Sequence, residues 1–315
     1  MMLRGRDFLS IDDLTPDELR LVLGFARELK ARMLAGDRPP LLAGKTLAMV
    51  FEKPSLRTRV SFEVGMSQLG GSAVYLGVQD IQLGVRESIT DAARNLERMT
   101  DGIMARTFAH ATVAGLASAA RRPVINGLSD LEHPCQALGD LMTISERFPR
   151  IEVVRVAWVG DANNVFHSLL LGAAKLGMTI TAGTPQGYGP AERVVARARE
   201  IAGATGGSVM LQADPAEAVA GADVVYTDVW ASMGQEGERE ERARVFRPYQ
   251  VNGALLSRAR PTAVVMHCLP AHRGDEITSE VADGRQSVIF HQAANRLHVQ
   301  KAILALLLNK KGKKE

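Results

Sequence analysis

Cysteine is scarce: Cys135 and Cys268 are the only two in 315 residues. Two thiols cannot staple a small secreted fold, and neither sits in a CxxC or Cys/His spacing that would hold zinc. A reducing, cytoplasmic setting is the expectation. Long apolar runs are also lacking, so no membrane span is expected. The start, MMLRGRDFLSIDDL, has no apolar core of the kind a signal peptide needs. Aromatic residues make up 5% of the chain, and none interleave with a basic stripe. The net charge of +3 owes much to Lys310, Lys311, Lys313 and Lys314 at the tail. Nucleic acid is therefore not an expected partner. Two nucleotide signatures are missing as well. VAWVGDANN has Gly160 but no GxGxxG, which disfavours a dinucleotide, and the absence of GxxxxGK excludes a P-loop.

What remains is an ordinary globular composition, 46% hydrophobic and 23% charged, in a chain long enough for two domains. Apolar strand-like runs alternate with helical patterns. Thr15-Pro16 opens a helix carrying Leu19, Leu23 and Leu29 on one side. Leu47 to Phe51 reads as strand, and 56–69 as a helix with Val60, Val64 and Leu69 near one face. Ser72 to Leu76 is strand. A helix from Ser88 turns Ala92, Leu96 and Met99 inward. Gly102 to Ala105 and Pro123 to Asn126 are strands around helix 111–120, and helix 134–147 stops before Pro149. A second series follows. Strands are expected at 153–159, 178–182, 209–212, 223–226 and 263–267, with a last one from Val288 to Phe290. Helices are expected at 164–176, 190–203 (closed by Gly203), 215–220, 250–258 and 293–309, with a charged insertion inside 228–250. Strand–helix alternation repeated twice implies an α/β fold of two doubly wound parallel-sheet domains. The boundary falls near Pro149, giving residues 1–148 and a second domain from 149.

Ligands bind at the carboxyl ends of the strands in such sheets, so polar residues just after strands are the candidates. In FEKPSLRTRVSFE, Phe51 to Glu63, Ser55 stands where a helix cap belongs. Arg57 and Arg59 lie in or beside the first turn, where cations oppose the helix dipole. Either this is an ordinary capped helix with surface arginines, or helix-start N–H groups, Ser55, Thr58 and a guanidinium form a phosphate cradle. Arg106, His133, Asn163, Asn164, Asp228 to Met233 and His267 to Leu269 also follow strands. His133 and Gln136 lie three apart at a helix start and could grip one small amide-like group. Asn163 and Asn164 can cap a helix or hold an amino acid's carboxylate and amine. Asp228 can bind an amino group from a loop containing Ser232, Met233 and Gly234. Cys268 is either packing or a thiol at the site, and a Cys/His nucleophilic hydrolase is a competing chemistry. Arg296, near the start of the last helix, suggests an anion or carbonyl partner.

Taken together, SLRTR (55–59), HPCQ (133–136), DVWASMG (228–234) and HCLP (267–270) resemble the aspartate/ornithine carbamoyltransferase family, specifically its ornithine branch, in order and over nearly the whole chain. The resemblance implies a carbamoyl-phosphate-binding domain of residues 1–148 with the terminal helix 292–315 packed back on it. It implies an ornithine-binding domain of 149–291 and an active-site cleft between the domains. Ser55, Leu56, Arg57, Thr58, Arg106, His133, Gln136, Cys268, Leu269 and Arg296 match carbamoyl-phosphate contacts. Gln82 matches a residue lent to a neighbouring subunit, which implies a homotrimer or a multiple of one. Asn163, Asn164, Asp228, Ser232 and Met233 match amino-acid contacts, and Arg106, His133, Cys268, Asp228 and Arg296 the chemistry. Leu56 departs from the family, replacing the hydroxyl residue frequent there. The implied substrates are carbamoyl phosphate and L-ornithine. Neither a metal nor an organic cofactor is expected, because the donor already carries an electrophilic carbonyl and a good leaving group.

Overall fold

The computed structural model describes residues 3–231 and 236–309. The chain divides into two compact units. The first runs to Met142 and resumes at Asn295, and the second is Thr143–Ala294.

The first unit is built on four parallel strands, β1 (Thr46–Phe51), β2 (Ser72–Leu76), β3 (Gly102–Arg106) and β4 (Val124–Leu128), in the order β2-β1-β3-β4. Its helices are α1 (Pro16–Leu34), α2 (Leu56–Gln68), α3 (Val78–Ile81), α4 (Ile89–Met99) and α5 (His110–Ala119), and α6 (Pro134–Arg147) begins in it. Thr15 and Glu18 form a reciprocal capping box before Pro16, which starts α1 at the expected place. Ala48, Val50, Ile103, Ala105, Val113, Leu116 and Val124 pack as one apolar core. The direction changes between β1 and β3, whose register sets Phe51 beside Arg106. Such a switch point leaves a crevice at the strand ends.

The second unit repeats the plan with five parallel strands, β5 (Arg155–Val159), β6 (Thr179–Gly183), β7 (Ser208–Gln212), β8 (Val224–Thr227) and β9 (Val264–His267), ordered β7-β6-β5-β8-β9. It carries α7 (Asn164–Lys175), α8 (Glu192–Thr205), α9 (Pro215–Val219), α10 (Arg239–Phe246), α11 (Gly253–Leu256) and α12 (Ser279–Ala282), and α13 (Ile289–Leu308) starts in it. Its switch point lies between β5 and β8, with Val159 and Thr227 in register at the ends.

Several expectations are corrected. Val60, Val64 and Leu69 do not share a face: the two valines are exposed, whereas Leu69 is buried, as are Thr58, Ser61, Phe62, Gly65 and Met66 of α2. Leu56, Val60 and Val64, spaced four apart, leave an exposed apolar stripe on that helix. Of the residues expected inward on α4, Ala92 is buried beside Ala93 and Leu96 packs half-buried against the core, but Met99 is exposed. Gly203 lies inside α8, which ends at Gly206, a left-handed residue at φ 82°. Left-handed backbone is open to glycine without the penalty a side chain brings. Residues 288–290 are not a strand. Val288 donates to Val265 once, and α13 begins at Ile289. The helix expected over 250–258 is reduced to α11, and the charged insertion contains α10. No helix among the described residues is long and apolar enough to cross a membrane.

Candidate active site

In the first unit, β1 delivers the chain into Glu52, Lys53 and Pro54, and then into α2. Ser55 is extended at the cap, and its hydroxyl accepts the Thr58 N–H at 3.2 Å. No acidic residue occupies the first turn of α2 to oppose an incoming anion. Arg57 is half-buried there, whereas Leu56 is 74% exposed. Arg59 faces away, paired with Glu63 at 3.2 Å and stacked 4.0 Å from the Tyr75 ring centroid. Arg106 is buried at the end of β3, and Arg296 of α13 donates from Nη2 to Thr58 Oγ1 at 3.0 Å. Gly139 allows that arginine in: a Cβ there would lie 3.1 Å from Arg296 Cγ. His133 precedes α6, and Gln136 donates its backbone N–H to the His133 carbonyl at 3.0 Å.

The charges confirm that these groups are neighbours. His133 is buried, and its affinity for a proton falls well below the usual imidazole range. Desolvation is the main cause, followed by Arg296, Arg106, Arg57 and Lys53. At neutral pH the ring is therefore uncharged, a hydrogen-bond donor and acceptor in a field of cations. Lys53 was not singled out from the sequence. It is buried, its pKa is lowered by desolvation and by Arg106, and its ammonium lies 4.5 Å from the Phe108 ring centroid. Its place two residues before the Ser55 cap was the available signal. Gln82 stands apart. It closes α3 in the left-handed region at φ 41°, exposed, with local backbone hydrogen bonds. The first unit thus gathers cations at a switch point and a helix start, the environment a phosphate dianion requires.

The imidazole gives a pH signature. The unfolded chain takes up its His133 proton near pH 6.5, and the folded chain resists it. The depressed native pKa means this contribution to stability is whole above pH 6.5 and is lost as pH falls from there toward the native value. Denaturant unfolding should therefore show wild type losing up to about 1.4 kcal/mol more per pH unit than His133→Gln below pH 6.5. Equal acid sensitivity of the two proteins would contradict the neutral buried ring.

In the second unit the polar residues converge at the β5/β8 switch point. Asn163 caps α7, its side-chain oxygen accepting from Val165 and Phe166 N–H. Its Nδ2 turns the other way and donates to Asp228 Oδ2 at 2.8 Å. The Cys268 thiol donates to Asp228 Oδ1 at 2.9 Å, and the Val229 N–H donates there at 2.8 Å. Asn164 is the first residue of α7. Leu269 is left-handed at φ 61°, before the cis Leu269–Pro270 bond. A carboxylate fixed by three donors keeps lone pairs for an ammonium or amine. Asp228, His267 and Cys268 bring ligand-type atoms within 4.8 Å of one another. His267 does not suit a metal, because Nδ1 accepts the Leu269 N–H at 2.8 Å and Nε2 faces Glu276 at 3.1 Å. Ser232 and Met233 lie outside the described residues. Arg242 donates to Asp161 and to the Trp230 carbonyl, each at 2.9 Å. Burial pushes the Asp161 carboxyl up to about 6, with Arg242 opposing. Cys135 is packing: it is buried, and desolvation pushes its thiol up to about 12.

These two halves correspond to two known domains. Residues 6–146 match the carbamoyl-P binding domain of aspartate/ornithine carbamoyltransferases, and residues 152–307 match the Asp/Orn binding domain. The chain belongs to the aspartate/ornithine carbamoyltransferase family. Among its relatives, the ornithine carbamoyltransferase of Carboxydothermus hydrogenoformans is 57% identical over 97% of this chain and 98% of that one. That of Pyrococcus abyssi is 55% identical over 97% and 96%. The solved ornithine carbamoyltransferase of Pyrococcus furiosus superposes with a TM-score of 0.96 at 53% identity, covering 98% of this chain and 99% of the other.

Proposed function

We propose that this chain transfers the carbamoyl group of carbamoyl phosphate to the δ-amine of L-ornithine, giving L-citrulline and phosphate. The observation that carries the ornithine reading is the Asp228 carboxylate held by Asn163, Val229 and Cys268, an amino-group receptor in the domain that the family uses for its amino acid. Residues 1–148 with the C-terminal segment 292–315 take the donor in this reading, and 149–291 take the acceptor. Ser55, Leu56, Arg57 and Thr58 bind phosphate, Leu56 through its backbone. Arg57, Arg106 and the α2 N-terminus stabilise the departing dianion. His133 and Arg296 polarise the carbonyl and stabilise the tetrahedral oxyanion, while Gln136 and Leu269 hold the carbamoyl amide. Asn164, Asp228, Ser232 and Met233 bind ornithine. The attacking amine must be neutral although its free pKa is near ~10.4, that of a lysine. Asp228 and Cys268 orient it, and the leaving phosphate takes its proton. Citrulline formation from the two substrates tests this reading.

A Cys/His hydrolase is disfavoured on the same geometry. The Cys268 thiol points its proton at a carboxylate, which opposes a thiolate, and the His267 ring is engaged by Leu269 and Glu276.

The chain acts in this reading as a cytoplasmic homotrimer or a multiple of one, in arginine biosynthesis. Support for self-association comes from the exposed stripe Leu56, Val60 and Val64, with Val74, Val78 and Val85 exposed on β2 and after it. The occupant is a second copy, to whose site Gln82 is lent. An Arg57→Gly protein and a Gln82→Ala protein, each impaired alone, should recover part of the activity when dissociated and reassembled together. No recovery in verified hybrid oligomers would count against shared sites.

A further inference from the structure

One buried carboxyl in the first unit, that of Asp140, has no role in the chemistry above. Gln136 and Asp140 lie one turn apart on α6, at 1% and 0% exposure. Gln136 Nε2 donates to Asp140 Oδ1 at 2.9 Å. Gln136 Oε1 is buried with no hydrogen-bond partner among the described residues. A glutamine amide can turn over about its last torsion with almost no change of shape, exchanging donor for acceptor. Left alone, it would accept from one ligand and donate to another. A carboxylate only accepts, so it bonds the amide in one orientation. Turning the amide over would set Oε1 against Oδ1 and lose a charge-assisted bond. The bias against that is on the order of ten- to a hundredfold.

Resting on the carbamoyltransferase reading, we propose that Asp140 is a positioning residue that locks Gln136 as an acceptor, so that the first unit selects an acyl phosphate bearing N–H over one bearing a methyl. An orphaned buried acceptor is costly until a ligand donor meets it. The NH2 of carbamoyl phosphate supplies that donor. Acetyl phosphate has the same outline, the same phosphate and no donor. A site built to hydrogen-bond a group discriminates strongly against an analogue that lacks it. Gln136 stands three residues after His133 at the start of the same helix, its backbone N–H bonded to the His133 carbonyl at 3.0 Å.

The test is the affinity of carbamoyl phosphate and of acetyl phosphate, measured separately by calorimetry, in wild type and in Asp140→Asn. The asparagine preserves the shape but can donate, which frees the amide to turn over. The expected result is about a tenfold loss for carbamoyl phosphate with acetyl phosphate unchanged within twofold. In a Gln136→Met background the Asp140→Asn change should have no further effect on the ratio. Asp140→Ser gives the same split if the asparagine variant is not soluble. A parallel loss of both ligands, or no change in either, overturns the proposal and leaves Asp140 as packing. Inorganic phosphate serves as the control for the cradle and should bind all variants alike. Because the readout is binding, it is independent of whether ornithine is the acceptor, and a wild-type protein that forms no citrulline would fail the functional reading separately.

Discussion

Arg57→Gly lowers the rate of citrulline formation by about three orders of magnitude, and the protein still folds. Electrostatic stabilisation of a developing anion by one preorganised donor contributes about a hundred- to a thousandfold. A guanidinium on a phosphate dianion belongs at the upper end, because the bonds are charge-assisted and can be bidentate. Arg57 is half-buried, and its charge reaches His133. It is not part of the α2 core, which is Phe62 and Met66. The Ser55 cap also remains, so the substitution costs about 1 kcal/mol of helix propensity. Circular dichroism and the melting temperature check the fold, and kcat with both substrates saturating checks the chemistry. Activity near wild type would remove the phosphate assignment of the 55–59 loop.

The second large effect lies in the other domain. Asp228→Asn should lower kcat/KM for ornithine by about a thousandfold while leaving the affinity for inorganic phosphate unchanged. The carboxylate is 7% exposed and receives the Asn163 amide, the Cys268 thiol and the Val229 N–H. An asparagine keeps one acceptor and sets an NH2 against one of those donors. It also removes the negative charge that an ammonium or amine would face. Truncating one partner of a buried charge pair typically costs 2–5 kcal/mol or more. Steady-state kinetics with ornithine varied at saturating carbamoyl phosphate reads this directly. A loss below tenfold would move the amino group elsewhere.

Most of the architecture was legible because both sheets are parallel with buried central strands, so those strands read as apolar runs between capped helices. Ser55, Thr15 and Asn163 announced helix starts through short-range chemistry that needs no tertiary context. The misses have physical causes. Val60 and Val64 follow a helical period, but on α2 that period describes the outward face, and only packing distinguishes a core stripe from a contact stripe. Gly203 resembled a helix end, yet Gly206 has the left-handed backbone that ends α8. Val288 to Phe290 is apolar enough for a strand, but the chain there makes one bridge and turns into α13. Of the candidate residues, those adjacent to strand ends could be found from the topological rule. Lys53, two residues past the end of β1, was within reach of that rule, whereas Asp140 and Glu276 were not. A buried polar group that supports another leaves no periodicity, and its meaning appears only when its partner is known. The 228–250 stretch reads only as a charged insertion, and nothing in it distinguishes Arg242, whose guanidinium is buried against Asp161 and Trp230.

The most direct measurement is colorimetric detection of ureido product with carbamoyl phosphate and a panel of amines: L-ornithine, putrescine, N-acetylornithine and L-aspartate. The account predicts rapid citrulline formation with L-ornithine, at least about a hundredfold above any other amine, since putrescine and N-acetylornithine lack a free α-amino-acid head and L-aspartate has no side-chain amine to attack the carbonyl. Faster carbamoylation of another amine, or no ureido product from ornithine at all, would contradict it.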